Sequence, residues 1–235
     1  MAMRSTVRRF RAVLLRLRLS AFESFGSDRY SFLALDGLDR VLAKYLDFRD
    51  GFFIECGANN GLRYSNTYWF ERFRGWRGIL IEALPDLADQ CRRNRPNATV
   101  INAALVANDD IKTINIISAD LMTYVPGSFA TIEDEAAHRR SAIEVQALQE
   151  TREIEVPARS LASIFKQLSL RNVDLFSLDV EGYEVEVLRG MNVSRNQPQY
   201  ILIETKKLDE VMVTLEQKYR LVAKLTHHDY LLILK

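Results

Sequence analysis

This chain predicts a doubly wound α/β domain on a mostly parallel, Rossmann-like sheet, and three features of the sequence predict it. From Asp50 onward, short apolar runs alternate with amphipathic stretches, the pattern of strands buried on both faces and helices that cover them. Half of the ten glycines fall between Gly51 and Gly78, directly around the first such run, where folds of this kind turn tightly beside a ligand crevice. Polar residues close the successive runs (Glu55, Glu82, Asn102), which places them at the carboxyl ends of strands.

Composition sets the outer bounds. With 235 residues, 48% hydrophobic and 27% charged, the chain can bury a full core as one domain. Two cysteines, Cys56 and Cys91, make no disulfide framework, so a reducing cytosol is expected. A net charge of +1 argues against nucleic acid as partner, and no run of about 20 apolar residues could span a bilayer.

Taken in order, residues 1–25 are expected to form a basic amphipathic helix. Arg4, Arg8, Arg9, Arg11, Arg16 and Arg18 precede the first acid, Glu23, while Val7, Phe10, Leu14, Leu17 and Ala21 recur at helical spacing. Such a segment either lies peripherally on an anionic membrane through residues 1–20 or docks on the domain. A single domain over 26–235 follows. Strands are expected at 52–56, 79–82, 99–103, 173–179 and 200–204, each short, apolar and bounded by Gly, Asp or Pro. Helices are expected at 87–95, 161–168, 185–189 and 208–219, and a further one after the glycine turn, its buried face Trp69, Phe70, Phe73 and Trp76. Two more strands, 111–118 and 153–158, bracket a polar insertion at about 119–151, read as a lid or substrate loop; His138 within it is expected to be solvated. Residues 219–226 and 230–234 form a terminal hairpin around His227-His228-Asp229.

The chemistry concentrates in Ile54-Glu55-Cys56-Gly57-Ala58-Asn59-Asn60-Gly61, an apolar strand that ends in a carboxylate and a glycine turn. The dinucleotide fingerprint G-x-G-x-x-G is not met; Asn59 stands where a left-handed conformation suits its short side chain. Glu55 would repel a pyrophosphate and attract an ammonium, which favours the amino-acid tail of S-adenosylmethionine. Glu82 is positioned to accept hydrogen bonds from ribose hydroxyls, and Asn102 to read an adenine edge. Cys56 points to the opposite face from Glu55, into the core.

These residues resemble the FkbM family of S-adenosylmethionine-dependent methyltransferases. The resemblance rests on 53–61 as the first motif, on Ser65-Asn66-Thr67, Gly75-Trp76-Arg77-Gly78 and Ile81-Glu82, and on Asp179-Val180-Glu181-Gly182-Tyr183-Glu184. It covers about residues 52–204. It implies a seven-stranded sheet with an antiparallel last strand, O-methylation of a sugar, glycan or related small-molecule acceptor, and cofactor contacts at Glu55, Gly57, Asn59, Gly61, Asn66, Glu82 and Asn102. Ala83 and Leu84 depart from the family pattern, which has a proline directly after the acid.

Asp179, Glu181 and Glu204 are expected to converge on the crevice, and crowded like charges raise at least one pKa. Asp179 and Glu181 are the catalytic candidates, Asp179 first, as base for a hydroxyl. Four alternatives stand beside this reading: a divalent cation on Asp179 and Glu181, a capping role for Glu181 on the following helix, and, for the whole chain, a non-catalytic nucleoside-binding module or a nicotinamide-dependent oxidoreductase.

Overall fold

The computed structural model describes residues 2–235, with side chains from residue 13 onward. In chain order the strands are β1 (Phe52–Cys56), β2 (Arg77–Glu82), β3 (Thr99–Asn102), β4 (Ala104–Val106), β5 (Thr113–Ser118), β6 (Arg152–Ser160), β7 (Leu175–Leu178), β8 (Tyr200–Glu204), β9 (Tyr219–Lys224) and β10 (Asp229–Leu234). Seven of them form one sheet in the order β3-β2-β1-β7-β8-β10-β9. Neighbours from β3 to β8 run parallel, and β10, the last strand, is antiparallel to both β8 and β9. β4, β6 and β5 form a separate three-stranded sheet. The doubly wound architecture therefore stands, with one difference: the apolar run at 99–103 divides at Ala103 between the two sheets.

The helices are α1 (Ala2–Ser24), α2 (Leu38–Leu42), α3 (Tyr68–Arg74), α4 (Pro85–Asn94), α5 (Ile132–Gln146), α6 (Leu161–Gln167), α7 (Glu184–Arg189) and α8 (Leu208–Thr214). Alternation along β1 explains the two cores. Ile54 and Cys56 join the cluster that holds Leu178, Val185 and Ile203, whereas Phe53 joins Trp69, Phe70 and Trp76 on the opposite face. Cys56 is thus a core residue, and burial pushes its thiol pKa up.

The sheet changes its direction of growth between β1 and β7, because β1 is flanked by β2 on one side and β7 on the other. That switch point is where a doubly wound sheet opens a crevice. Gly57 makes the approach possible: at φ +77, a Cβ there would lie 2.0 Å from the Asp179 carbonyl oxygen.

No helix begins at the glycine turn. α3 starts only at Tyr68, because side chains take the backbone N–H groups that a helix would use: Asn60 Oδ1 accepts from Leu62 and Arg63, and Glu55 Oε1 accepts from Asn66. The insertion does carry a helix, α5, whose start is fixed by Thr131 accepting from the Asp134 N–H.

On α1 the buried stripe differs from the expected one. Leu19 is buried and packs with Leu15 against Leu62 and Tyr68, while Leu17 and Ala21 are exposed; the side chains of Arg4, Val7, Arg8, Arg9, Phe10 and Arg11 lie outside the described residues. Among the described residues no helix is long and apolar enough to cross a membrane.

Candidate active site

The carboxyl ends of β1, β2, β7 and β8 meet in a cavity of about 510 Å³, walled also by residues 120–125 and by Val145 and Gln146 of the insertion. Its chemistry differs from one end to the other.

At the β2 end sits Glu82, 6% exposed. Its Oε2 accepts the Asn59 N–H (2.8 Å) and its Oε1 the Leu84 N–H (2.9 Å). A carboxylate offers about four acceptor sites, so two remain for a pair of hydroxyls. Burial pushes Glu82 up to about 7, with the Asp120 charge adding to it, although backbone N–H bonds oppose the rise. Ala83, Ala104, Leu105, Ile116 and Met122 supply an apolar wall. Asn59 holds the left-handed conformation at φ 48 and lines the cavity.

Two residues expected here are placed elsewhere. Asn102 spends its Nδ2 on the carbonyls of Glu82 and Ala83 (both 2.9 Å), bracing the β2 turn rather than facing the cavity. Gly61 also lies outside the lining, packed against Arg95 and Cys91. Both are strand-end and turn residues whose sequence positions do not reveal which side they face.

Glu55 lines the cavity, yet its oxygens are engaged by the protein. Oε1 accepts from the Asn66 N–H, and Oε2 from the Ser65 and Thr67 hydroxyls. The fully buried Arg95 guanidinium stands 3.9 Å from Oε2, pairs with Glu71 at 2.7 Å, and donates to the Gly61 carbonyl, Ser65 and Thr67, each at 3.1 Å. Glu55 is therefore the anchor of the 61–67 loop and not a free charge awaiting an ammonium. The loop delivers Asn66 to the cavity: Nδ2 donates to Ser177 Oγ (3.1 Å), while Oδ1 is buried without a partner. An unmet buried acceptor costs about 1–3 kcal/mol, and a ligand N–H would satisfy it.

At the other end four acids line the cavity: Asp179 and Glu181 beyond β7, Glu204 closing β8, and Asp229 opening β10. Arg63 is the single basic residue of the described lining, and it is held by Asp120 (2.7 Å) and Gln146 (3.0 Å). Asp179 is raised well above the carboxylate range by burial and then by Glu204 and Glu181. Burial, then Glu204 and Glu184, pushes Glu181 up to about 8; burial, then Asp229 and Glu184, pushes Glu204 up to about 7. Lys206 opposes both shifts.

The acids of the 179–184 motif divide their labour. Glu184, 2% exposed, accepts the Gly182 N–H at 2.7 Å and locks the turn into α7. Glu181 does not cap that helix; it takes the left-handed conformation, φ 51, and faces the cavity. His138, expected in solvent, is half-buried instead. Its ring packs edge-on to Tyr124 and beside Phe129, donates from Nε2 to the Met122 carbonyl (3.1 Å), and stands 3.8 Å from Glu181 Oε2. Burial lowers its pKa and so disfavours the charged imidazolium. His227 and His228 stay exposed in the β9–β10 turn. Among the described residues no group of three or more His, Cys, Asp or Glu is arranged to hold a metal ion.

Sequence reasoning missed Arg95, Arg63, Asp120 and Asp229. Nothing in their local context singles them out, since each acts on partners 24 to 83 residues away or only through the folded cleft.

The residues present suit S-adenosylmethionine: a carboxylate with two open acceptor sites beside an apolar wall, an orphaned acceptor on Asn66, and an excess of acid for a cationic ligand. The sequence model of the methyltransferase FkbM domain matches residues 55–232. No curated protein sequence matches the chain. Similar solved structures include a TehB-like SAM-dependent methyltransferase from Corynebacterium glutamicum (13% identity, 99% of this chain and 97% of that one, TM-score 0.43). Others are a SAM-dependent methyltransferase from Aquifex aeolicus (11%, 88% and 93%, 0.43) and M. capricolum TrmK with S-adenosylhomocysteine (9%, 86% and 67%, 0.46). The family match spans most of the chain and includes both the glycine turn and the 179–184 motif, so the chain belongs to the FkbM methyltransferase family and is a SAM-dependent methyltransferase.

Proposed function

We propose that the protein methylates a hydroxyl of a sugar, glycan or related metabolite, with Asp179 as the base. The observation that carries this reading is the group of half-buried acids at the β7–β8 end, in a cavity whose described lining holds no basic residue but Arg63, itself paired with Asp120. Such a group has a raised affinity for protons, which is what removal of a hydroxyl proton requires. Glu82 is assigned the ribose hydroxyls, Asn66 Oδ1 the ammonium of the methionine tail, and Gly57 and Asn59 the turn that lets the ligand approach the backbone.

S-adenosylmethionine supplies an electrophilic methyl group on a sulfonium. The protein's part is to hold the acceptor oxygen in line, to take its proton on the Asp179 carboxylate, and to spread the resulting charge change over Glu181, Glu204 and Asp229. The insertion, through residues 120–125 and Gln146, walls the cavity. The expected divalent cation on Asp179 and Glu181 is not supported, since among the described residues no group of three or more His, Cys, Asp or Glu is arranged to hold one.

The test is transfer from methyl-labelled S-adenosylmethionine to a panel of neutral sugars, glycans and nucleotide-sugars, with the label located by NMR. Label on oxygen, unaffected by chelator, is expected. Label only on nitrogen or carbon would overturn the acceptor class, and activity lost to chelator and restored by Mg²⁺ or Mn²⁺ would overturn the base assignment.

A further inference from the structure

Helix α1 presents two unlike faces. Leu15 and Leu19 pack inward with Tyr30, Leu33, Leu62 and Tyr68. The opposite face carries a row at i, i+4 spacing that continues into the following turn: Val13 (54% exposed), Leu17 (62%), Ala21 and Phe25 (90%). Among the described residues nothing covers these apolar groups. Beside them Arg16 and Arg18 are exposed.

Charge decides what such a face would meet. The α1 sequence carries Arg4, Arg8, Arg9, Arg11, Arg16 and Arg18 against one acid, Glu23. That acid is turned inward. Its side chain is 5% exposed, and it accepts from the Ser31 and Tyr68 hydroxyls (2.8 and 2.9 Å) and from Arg72 Nε (2.8 Å). Glu23 is thereby spent on docking the helix, and it offsets none of the arginine charge on the outer side.

We propose that the outer face of α1 binds an anionic lipid surface, with Val13, Leu17, Ala21 and Phe25 entering the headgroup boundary and Arg16 and Arg18 contacting acidic lipids. A basic helix with exposed apolar residues lies in the plane of such a surface, and each basic residue near it contributes about fivefold in affinity at low salt. The helix does not span the bilayer, in keeping with its arginine content. The docking contacts of Glu23 keep the body attached to the anchored helix. This inference stands apart from the identity of the acceptor.

The experiment is co-sedimentation of the full chain with vesicles of phosphatidylcholine alone or with about a third phosphatidylglycerol. Binding to the anionic vesicles only, weakened by high salt, is expected. Arg16→Glu with Arg18→Glu should reduce it at least tenfold, as should Leu17→Asp with Phe25→Asp. All four positions are exposed, so cofactor affinity should be unchanged in both variants, which separates lost binding from lost folding. Two results would overturn the proposal: no preference for anionic vesicles, or a concentration-dependent dimer in light scattering that Leu17→Asp abolishes, which would assign the face to a second copy of the chain.

Discussion

Glu55, buried, and Asp179, half-buried, lie at the ends of neighbouring parallel strands, and the protein treats them in opposite ways. Around Glu55 it places a guanidinium, two hydroxyls and a backbone N–H. Around Asp179 it places more carboxylates. A compensated carboxylate fixes a loop; an uncompensated one keeps its hold on protons and can exchange them. Compensation, not the residue type or the strand end, separates architecture from chemistry in this cleft.

Asp179→Asn tests the uncompensated side and has the largest expected effect. Turnover should fall about 10²–10⁴-fold, the worth of a positioned base, with cofactor affinity retained by calorimetry. Glu55→Gln should not reproduce that pattern; its losses belong to cofactor KM and stability.

Arg95→Met removes the compensation. It leaves Glu55 and Glu71 without their buried cation and should cost about 3–5 kcal/mol of stability, read from the denaturant midpoint. The double variant Arg95→Met, Glu55→Gln should lose less than the sum of the two single changes. Additive losses would mean that the pair, 3.9 Å apart, is not coupled.

Glu82 falls between the two cases, held by backbone N–H groups but by no cation. Glu82→Ala should weaken S-adenosylmethionine binding by about 1.5–3 kcal/mol and leave the fold intact. Unchanged affinity in calorimetric titration would remove it from the ligand's reach.

The smallest effect is on stability against pH. Glu82, Glu181 and Glu204 are raised from 4.5 to about 7, 8 and 7, so the folded state holds protons that the unfolded chain has released. Their contribution is full below about pH 4.5 and is lost as pH rises through about 7–8. The ligand-free protein should therefore lose stability between pH 5 and 9, and Glu204→Gln should flatten that slope. A slope unchanged in the variant would show that Glu204 does not take part.

Much of this was legible in the sequence. Strand alternation located the β1, β2, β7 and β8 ends, because burial on both faces leaves continuous apolar runs, and the residues closing those runs include Glu82, Asp179 and Glu204. What a side chain meets beyond its own strand was not legible. Asn102 and Gly61 were expected to face a ligand, and Glu55 to meet its ammonium. Whether they do depends on Arg95, the β2 turn and the 61–67 loop, which only the fold brings together. His138 sits in a charged stretch that reads as solvated, yet α5 turns it onto Tyr124 and Phe129. Along α1 the apolar spacing supports more than one stripe, and contact with Leu62 and Tyr68 selects Leu15 and Leu19.

The claim that the β7–β8 acids hold exchangeable protons in the ligand-free cleft can be measured without knowing the acceptor. Calorimetric titration of S-adenosylmethionine at pH 7, in buffers of different ionisation enthalpy, counts the protons released on binding. A cationic ligand beside raised carboxylates should drive their ionisation, so the account predicts proton release at pH 7 that fades by pH 9. The release should be reduced in Asp179→Asn and unaffected by Glu55→Gln. Binding heat independent of buffer at pH 7, or release equal in the wild type and Asp179→Asn, would contradict it.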